Sequence, residues 1–237
     1  MIVLLEIKDM NAGYGFLNIL WNMSLNIDQG EFVALIGPNG AGKSTTLKTI
    51  AGALTPSKGD VKFRGEDIAG RECHQSCREG ISYISEELNL FTGMTVFENL
   101  EMGAYSQKDK SRRTKRLEFV YELFPRLEER TSQFAGTLSG GERKMLAIAR
   151  GMMSEPTLML VDEPSLGLAP QVTNEVFESL RVLNSMGVTI LLVEQNVTKT
   201  LQFTERAYVV EKGRIVLEGQ SADLISDEHV RKIYLGA

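Results

Sequence analysis

An α/β fold with a mostly parallel core sheet is predicted by three features of the sequence. Short apolar runs without alternation, FVALI at 32–36, Leu158 to Val161 and Val188 to Val193, read as strands covered on both faces. Each has a neighbour with helical periodicity, at 43–54, 142–154 and 172–186. Alternating or turn-bounded runs near both ends add antiparallel strands.

The elements follow in order. The opening segment MIVLLEIKDM, with Glu6 early and no basic leader, reads as an edge or opening strand rather than a secretory signal. Leu25-Asn26-Ile27 and FVALI flank Asp28-Gln29-Gly30, a hairpin signal. The helix from Lys43 carries Leu47, Ile50, Ala51 and Leu54 on one face and is expected to end at Pro56. Alternating Val61 and Phe63 between Lys58-Gly59 and Gly65 make a second hairpin-like piece, and Gly80 to Ile84 a further strand. From Thr95 to Phe134 the composition turns to Glu, Lys, Arg, Leu and aromatics. Leu117, Val120, Tyr121 and Phe124 recur at helical spacing, so two or three helices are inserted here. Glu142 to Ser154 is a helix with Met145, Ile148, Ala149 and Met152 inward, and Val172 to Met186 one with Val176, Leu180 and Leu183 inward. Arg206 to Val210, a turn at Lys212-Gly213, Ile215 to Leu217 and a short helix holding Val230 and Ile233 complete the chain.

Composition removes several function classes. With 237 residues the chain suits one large α/β unit or a core with a subdomain. No apolar run approaches the roughly 18 residues of a spanning helix. A net charge of −5 argues against a broadly basic nucleic-acid binder. Two cysteines cannot build a disulfide framework and suit a reducing compartment.

The strongest motif is Gly37-Pro38-Asn39-Gly40-Ala41-Gly42-Lys43-Ser44, which meets G-x-x-x-x-G-K-[ST] at every fixed position, after a strand and before a helix. Glycines let consecutive N–H groups turn toward phosphate oxygens, and the helix N-terminus adds its dipole. Lys43 is expected on the β- and γ-phosphates and Ser44 on Mg²⁺, with Thr45 completing the nucleotide-binding set. The second element is Asp162-Glu163 at the end of a buried strand. Two carboxylates there are costly unless they meet cations or water. Asp162 is expected to hold Mg²⁺ through water and Glu163 to act as general base on the attacking water. A helix cap is the plainer reading of Asp-Glu-Pro, but the phosphate loop makes it minor. These residues point to a phosphate-loop NTPase and leave a transport motor, a kinase and a GTPase all open.

Leu138-Ser139-Gly140-Gly141-Glu142 ends twenty residues before Asp162. Placed between the two nucleotide motifs, it resembles the signature of the ATP-binding cassette ATPases, over nearly the whole chain. The resemblance implies a single cassette, 1–237, with residues 1–87 and 156–237 as catalytic core with its antiparallel β part and 88–155 as helical subdomain. It implies that Tyr14 stacks on adenine and that the signature loop caps ATP held by an opposite subunit. Ser139 would offer a hydroxyl there, and the following helix its positive end. A capping box would account for Ser139 but leave the paired glycines idle.

Within that family, Pro164-Ser165-Leu166-Gly167-Leu168-Ala169-Pro170, Val193-Glu194-Gln195-Asn196 and Tyr234-Leu235-Gly236 are similar to the smaller ATPase of bacterial branched-chain amino acid importers. Urea-importer subunits look similar. The lipopolysaccharide-export ATPase shares the tail pattern of Asp227-Glu228-His229-Val230 but differs around Val193 to Asn196. The implied partners are transmembrane permease subunits, a second cassette ATPase in a homo- or heterodimer sandwich and, indirectly, a periplasmic or extracellular solute-binding protein, with no nucleic acid. The implied place is the cytoplasmic side of the membrane, and the cofactors are ATP and Mg²⁺. A soluble cassette acting on ribosomes or DNA is the rival, as is export; the former usually carries two cassettes or a long coiled coil.

The chain departs from the family pattern at several positions. Glu86 stands where most cassettes have Gln, as the branched-chain group commonly does, and could still reach Mg²⁺. Glu87 and Leu88 replace Gly-Arg. Gln195 replaces the switch His, so it can donate a hydrogen bond but cannot become a cation. Ala169 replaces the common Asp.

Other residues read more plainly. Cys73 and Cys77 with His74 lack the four ligands of a zinc site. The basic run Lys108, Lys110, Arg112, Arg113, Lys115 and Arg116 reads first as a solvated helix start and second as a contact for an anionic surface. Phe91, Thr92, Met94, Val96 and Phe97 read both as helical-subdomain core and, by resemblance, as the region that receives a membrane subunit's coupling helix.

Overall fold

A computed structural model describes residues 2–235. The elements are β1 (Val3–Tyr14), β2 (Leu17–Asp28), β3 (Phe32–Ile36), α1 (Lys43–Ala51), β4 (Lys58–Phe63), β5 (Glu66–Asp67), α2 (Cys73–Arg78), β6 (Ile81–Ile84), α3 (Val96–Gly103), α4 (Lys110–Leu123) and α5 (Pro125–Glu129). After a short turn of 3₁₀-helix come α6 (Gly140–Met152), β7 (Leu158–Asp162), α7 (Pro170–Ser185), β8 (Thr189–Glu194), α8 (Val197–Phe203), β9 (Arg206–Glu211), β10 (Arg214–Gln220), α9 (Ser221–Leu224) and α10 (Glu228–Val230).

Two sheets form. The larger has six strands in the order β10-β9-β3-β8-β7-β6, parallel except for β10. Its central strands β3, β7 and β8 are buried along their whole length, which is why they read as unbroken apolar runs. The smaller sheet is antiparallel, in the order β2-β1-β4-β5. Val33, Leu35, Leu158, Leu160, Leu191 and Val193 face the smaller sheet and α1 in one core. Met159, Val161, Ile190 and Leu192 face α3 to α7 in a second. Ala34, Ile36, Ala207 and Val209 meet α8 to α10 in a third. The strand period of two thus splits each central strand between layers. Because β3, β7 and β8 are parallel, residues 37–44, 162–163 and 194–195 leave the sheet at one edge, where ligands bind in open α/β sheets.

The structure corrects five local expectations. Leu25–Ile27 and FVALI are not a hairpin: β2 and β3 lie in different sheets, and the hairpin is β1–β2. Asp28 to Glu31 carries the chain between layers, a distinction that turn residues alone do not make. Of the two readings of the first segment, opening strand or edge, only the edge fails: β1 opens the chain and pairs with both β2 and β4. The α1 helix stops at Gly52, a left-handed C-cap with φ 81°, before Pro56 is reached. The signature helix starts at Gly140 rather than Glu142, because Ser139 is its N-cap. Val230 is buried but Ile233 is exposed. Gly236, the last residue of the tail pattern, lies outside the described residues.

The inserted segment contains three helices before α6. On α4, Val120 is buried with Leu117 and Tyr121 packed around it, while Phe124 is buried at its end, the stripe the spacing implies. Of the basic run, Arg116 Nε donates to Met152 O at 2.8 Å and Arg113 to Gln107 O; Lys108, Lys110, Arg112 and Lys115 are exposed. Val96 is core, whereas Phe91 and Met102 are partly exposed and line a groove of about 430 Å³ with Cys73, Cys77 and Arg150. Cys73 and Cys77 are exposed free thiols on α2. No helix among the described residues is long and apolar enough to cross a membrane.

Helices α3 and α6 approach closely at Gly103, where a Cβ would stand 2.1 Å from the Arg150 carbonyl oxygen. Gly103→Ala must therefore push two packed helices apart and is expected to lower stability by about 1–3 kcal/mol, read by urea denaturation.

Candidate functional site: a phosphate-loop cleft and a separate signature surface

The loop between β3 and α1 closes on itself. Gly40 and Gly42 take left-handed φ values of 76° and 107°, which lets the loop turn back over the start of α1. Lys43 Nζ, inside this turn, donates to Gly37 O at 2.9 Å and Pro38 O at 3.2 Å. Ala41 N–H donates to Pro38 O at 3.2 Å, and Ala41 O accepts from Gly213 N–H, so the β9–β10 turn braces the loop from behind. Asn39, Gly40, Gly42, Lys43, Ser44 and Thr45 line a cleft of about 430 Å³ with Ile19, Glu86, Glu163, Leu166 and Gln195.

The carboxylates come from the ends of β7 and β8. Asp162 Oδ1 accepts from Ser44 Oγ at 3.0 Å and Oδ2 from the Tyr83 hydroxyl at 3.2 Å. Glu163 Oε1 stands 3.7 Å from Lys43 Nζ, and Oε2 accepts from Gln195 Nε2. Glu163 also takes a left-handed φ of 46°, unusual for a side chain of its size. Burial pushes the carboxyl groups of Asp162 and Glu163 above the ordinary range; the Ser44 and Tyr83 bonds oppose this for Asp162, and Gln195 and Lys43 oppose it for Glu163. Burial pulls the Lys43 ammonium down, against Glu163 and Asp162. Burial and the Asp162 charge keep the Tyr83 phenol protonated as a donor.

Ser44, with Asp162 beside it, is a hydroxyl–carboxylate pair suited to Mg²⁺, which takes few protein ligands and keeps phosphate and water oxygens. Among the described residues no group of three or more His, Cys, Asp or Glu could hold a metal ion. Glu86 is exposed at the cleft wall, and its charge raises both Asp162 and Glu163.

The sequence-predicted residues fall into two groups. Most of the phosphate loop lines one cleft with Glu86, Glu163 and Gln195, and Asp162 meets it from behind through Ser44. Ser139, Gly140, Gly141 and Glu142 line a different depression, with Leu168, Ala169 and Val172. Leu138 is buried beneath it. Tyr14 is 47% exposed at the end of β1, next to the hairpin whose second strand puts Ile19 into the cleft wall, and it does not itself line the cleft.

At the signature loop a capping box does form. Glu142 Oε2 accepts from Ser139 N–H at 2.9 Å and Ser139 Oγ at 2.7 Å, while Glu142 N–H donates to Ser139 Oγ at 3.3 Å. Those bonds, with Arg130 nearby, hold the Glu142 carboxyl low. Gly141 has a packing role, since its Cβ would meet Val172 Cγ1 at 2.5 Å, whereas a Cβ on Gly140 would meet nothing within 4 Å.

Three polar residues at the site were not singled out by sequence. Tyr83 holds Asp162. Glu194, 2% exposed, accepts from Ser165 N–H at 2.8 Å and Gln195 N–H at 3.1 Å. Lys144 Nζ donates to the Glu163 carbonyl at 2.7 Å. The signals were a carboxylate closing an apolar strand, and a lysine placed three and four residues before buried Ala147 and Ile148.

The raised Asp162 carboxyl has a thermodynamic consequence. A group that binds its proton more tightly folded than unfolded adds stability as pH falls through its folded-state value. The nucleotide-free wild type is therefore expected to gain stability relative to Asp162→Asn as pH is lowered from neutrality into the carboxylate range, measured by denaturation at each pH.

Comparison with known proteins agrees with this geometry. A family model described as ABC transporter matches residues 20–166. The high-affinity branched-chain amino acid transport ATP-binding protein BraG of Pseudomonas aeruginosa is 44% identical over 98% of this chain and 100% of its own length. The lipopolysaccharide export system ATP-binding protein LptB of Haemophilus influenzae is 33% identical over 98% of this chain and 97% of its own. Among solved structures, the ADP conformation of an ATP-binding cassette of an ABC transporter superposes with a TM-score of 0.87 at 28% identity, covering 100% of both chains. A dimeric cassette in a post-hydrolysis state with ADP and Pi superposes with a TM-score of 0.81 at 26% identity, covering 92% of this chain and 98% of that one. A phosphate loop facing Asp162 and Glu163, a signature loop capping its own helix, and matches of this length together place the chain in the ABC transporter family, as one of its ATP-binding and ATP-hydrolysing cassettes.

Proposed function

We propose that this chain is the ATPase of a branched-chain amino acid importer, working as one half of a two-cassette sandwich. The observation that carries the sandwich is the separation of the two half-sites: the signature residues do not line the cleft of their own phosphate loop. Helix α6 is 13 residues long, and Gly140 opens its N-terminus onto space, so its free N–H groups suit an anion brought by another molecule. The dimeric cassette that this chain resembles supports the same reading, as does the likeness to BraG for the solute. The likeness to LptB supports a second reading, an ATPase serving export; a urea importer or a non-transport cassette are further alternatives.

In this reading Lys43 leaves its loop carbonyls for the β- and γ-phosphates, which keep it charged in place of Glu163. Tyr14, exposed at the hairpin, offers a flat face to adenine. Glu163 accepts a proton from the attacking water, and Gln195, now bonded to its carboxylate, holds it or the γ-phosphate in line. Ser44 and Asp162, with Glu86 in reach, would hold Mg²⁺, which would supply neutralisation of the charge that develops on the phosphate oxygens. Phosphate contacts from both halves exist only when the pair is closed, so ATP shifts the equilibrium toward closure and hydrolysis releases it. Residues 88–155 would move as a helical subdomain and pass that change to permease subunits on the cytoplasmic face of the membrane. A solute-binding protein on the far side would deliver the amino acid.

Two variants separate the steps. Glu163→Gln is expected to bind ATP and accumulate as closed dimers on size-exclusion chromatography, while ATP turnover falls by about 100-fold or more. Gly140→Asp has room for its side chain, so it is expected to fold and bind ATP as wild type but to form no dimer with ATP and to lose turnover. Turnover unchanged in Gly140→Asp would overturn the sandwich. The solute is tested in liposomes with the permeases: ATPase stimulated by leucine, isoleucine or valine supports the assignment, and stimulation by urea alone reassigns it.

A further inference from the structure

A buried lysine with no carboxylate in its hydrogen bond is an expensive feature, and the ABC cassette here places one against the residue read above as the general base. Lys144 is only 7% exposed and lies on α6 five residues after Ser139. Its neighbours one turn on, Ala147 and Ile148, are buried in the second core, so an apolar residue would suit the helix face better. Instead the Nζ donates at 2.7 Å to the Glu163 carbonyl oxygen. The negative groups that compensate it through space are Glu194, Glu86, Glu163 and Asp162.

The bond falls at a point of backbone strain. Glu163 sits at φ 46°, a conformation that the surrounding structure must impose on a residue with a Cβ. Its N–H donates to Val193 O at 2.9 Å, and its carbonyl also accepts from Leu166 N–H at 3.3 Å. Two residues on, Ser165 N–H donates to the buried Glu194 carboxylate at 2.8 Å. The turn from 163 to 165 is thus gripped by a cation on one carbonyl and an anion on one N–H. The cation comes from the signature helix and the anion from β8. The same turn carries the Glu163 carboxylate that reaches Lys43 and Gln195.

We propose that Lys144 is a positioning residue that sets the orientation of Glu163 through its backbone and ties it to the signature loop at the head of the same helix. One helix then carries Ser139 to Gly141 at its N-terminus and, in its second turn, the amine that orients the base of its own chain's cleft. A displacement of the signature loop by a facing nucleotide reaches Glu163 along a rigid element through one hydrogen bond. The proposal rests on the reading of Glu163 as general base.

The test compares wild type, Lys144→Met, Lys144→Arg and Lys144→Gln, each with and without Glu163→Gln, in the full-length protein. ATP turnover, the Kd of a fluorescent ATP analogue with Mg²⁺, and Tm are measured. Lys144→Met is expected to lower kcat by about tenfold to 100-fold, the range for a misplaced reacting group, with the nucleotide Kd within about twofold of wild type. Lys144→Arg, which keeps a cation and donors, is expected to retain more activity than Met, with Gln between them. In the Glu163→Gln background Lys144→Met is expected to have no further effect on residual turnover, because the two act as one unit. Three results overturn the proposal: a Met variant with kcat within twofold of wild type, an equal loss with and without Glu163→Gln, or an Arg variant as slow as Met. If Met lowers Tm below the assay temperature, the Gln and Arg variants carry the same comparison. Should Glu163→Gln itself hydrolyse ATP at the wild-type rate, the general-base reading fails first and separately.

Discussion

Carboxylates buried at the ends of two adjacent parallel strands constrain everything around them. Asp162, Glu163 and Glu194 are nearly removed from water, and burial raises the first two above their ordinary range. Such groups persist in a fold only when donors and cations meet them. Ser44 and Tyr83 meet Asp162, Lys43 and Gln195 meet Glu163, and backbone N–H groups of Ser165 and Gln195 meet Glu194. The two buried ammonium groups, Lys43 and Lys144, end on backbone carbonyls at the same place and balance the charge through space. The cleft is therefore held in shape by compensation within the chain, with both ammonium groups engaged by backbone carbonyls.

That compensation joins parts of the molecule that are far apart in sequence. Helix α6 is the joint. Its first residues make the capping box, Lys144 reaches the turn after β7, and Arg150 donates to Leu88 O at 2.9 Å and Asn89 O at 2.7 Å in the loop after Glu86. Leu88 and Asn89 are both left-handed, at φ 63° and 46°, so this loop too is fixed by an outside hand. The close contact of Gly103 with the Arg150 carbonyl extends the joint to α3. Through these bonds α6 touches both the turn after β7 and the loop after β6. The groove beside Phe91 and Met102 lies on this same segment.

Much of the fold and most of the candidate site were legible in the sequence. FVALI, Leu158 to Val161 and Val188 to Val193 declared themselves because a strand buried on both faces has no use for polar residues. The phosphate loop and Asp162-Glu163 were legible because their chemistry demands fixed residue types at fixed spacing, and the structure sets Asp162 against Ser44 and Glu163 in the cleft wall. The reading failed where the deciding contact was distant. Asp28 to Glu31 has turn chemistry whether it closes a hairpin or crosses between sheets, and only the pairing of β1 with β2 decides. Gly141 also packs against Val172, a contact that its place in the motif does not announce. Lys144 carries no mark of its partner in the sequence, because that partner lies 19 residues further along the chain.

By itself, then, the order of residues determined the layered α/β class, the phosphate-loop chemistry and the residues that would handle phosphate, because these rest on periodicity and on local backbone geometry. Tertiary structure alone decided that the signature loop stands apart from its own cleft, that β1 is internal rather than an edge, and that a lysine of α6 and a glutamate of β8 grip the turn holding Glu163. Those outcomes depend on which buried charges find one another across the core, and the free energy of such an encounter is set by burial and distance, neither of which a linear pattern contains.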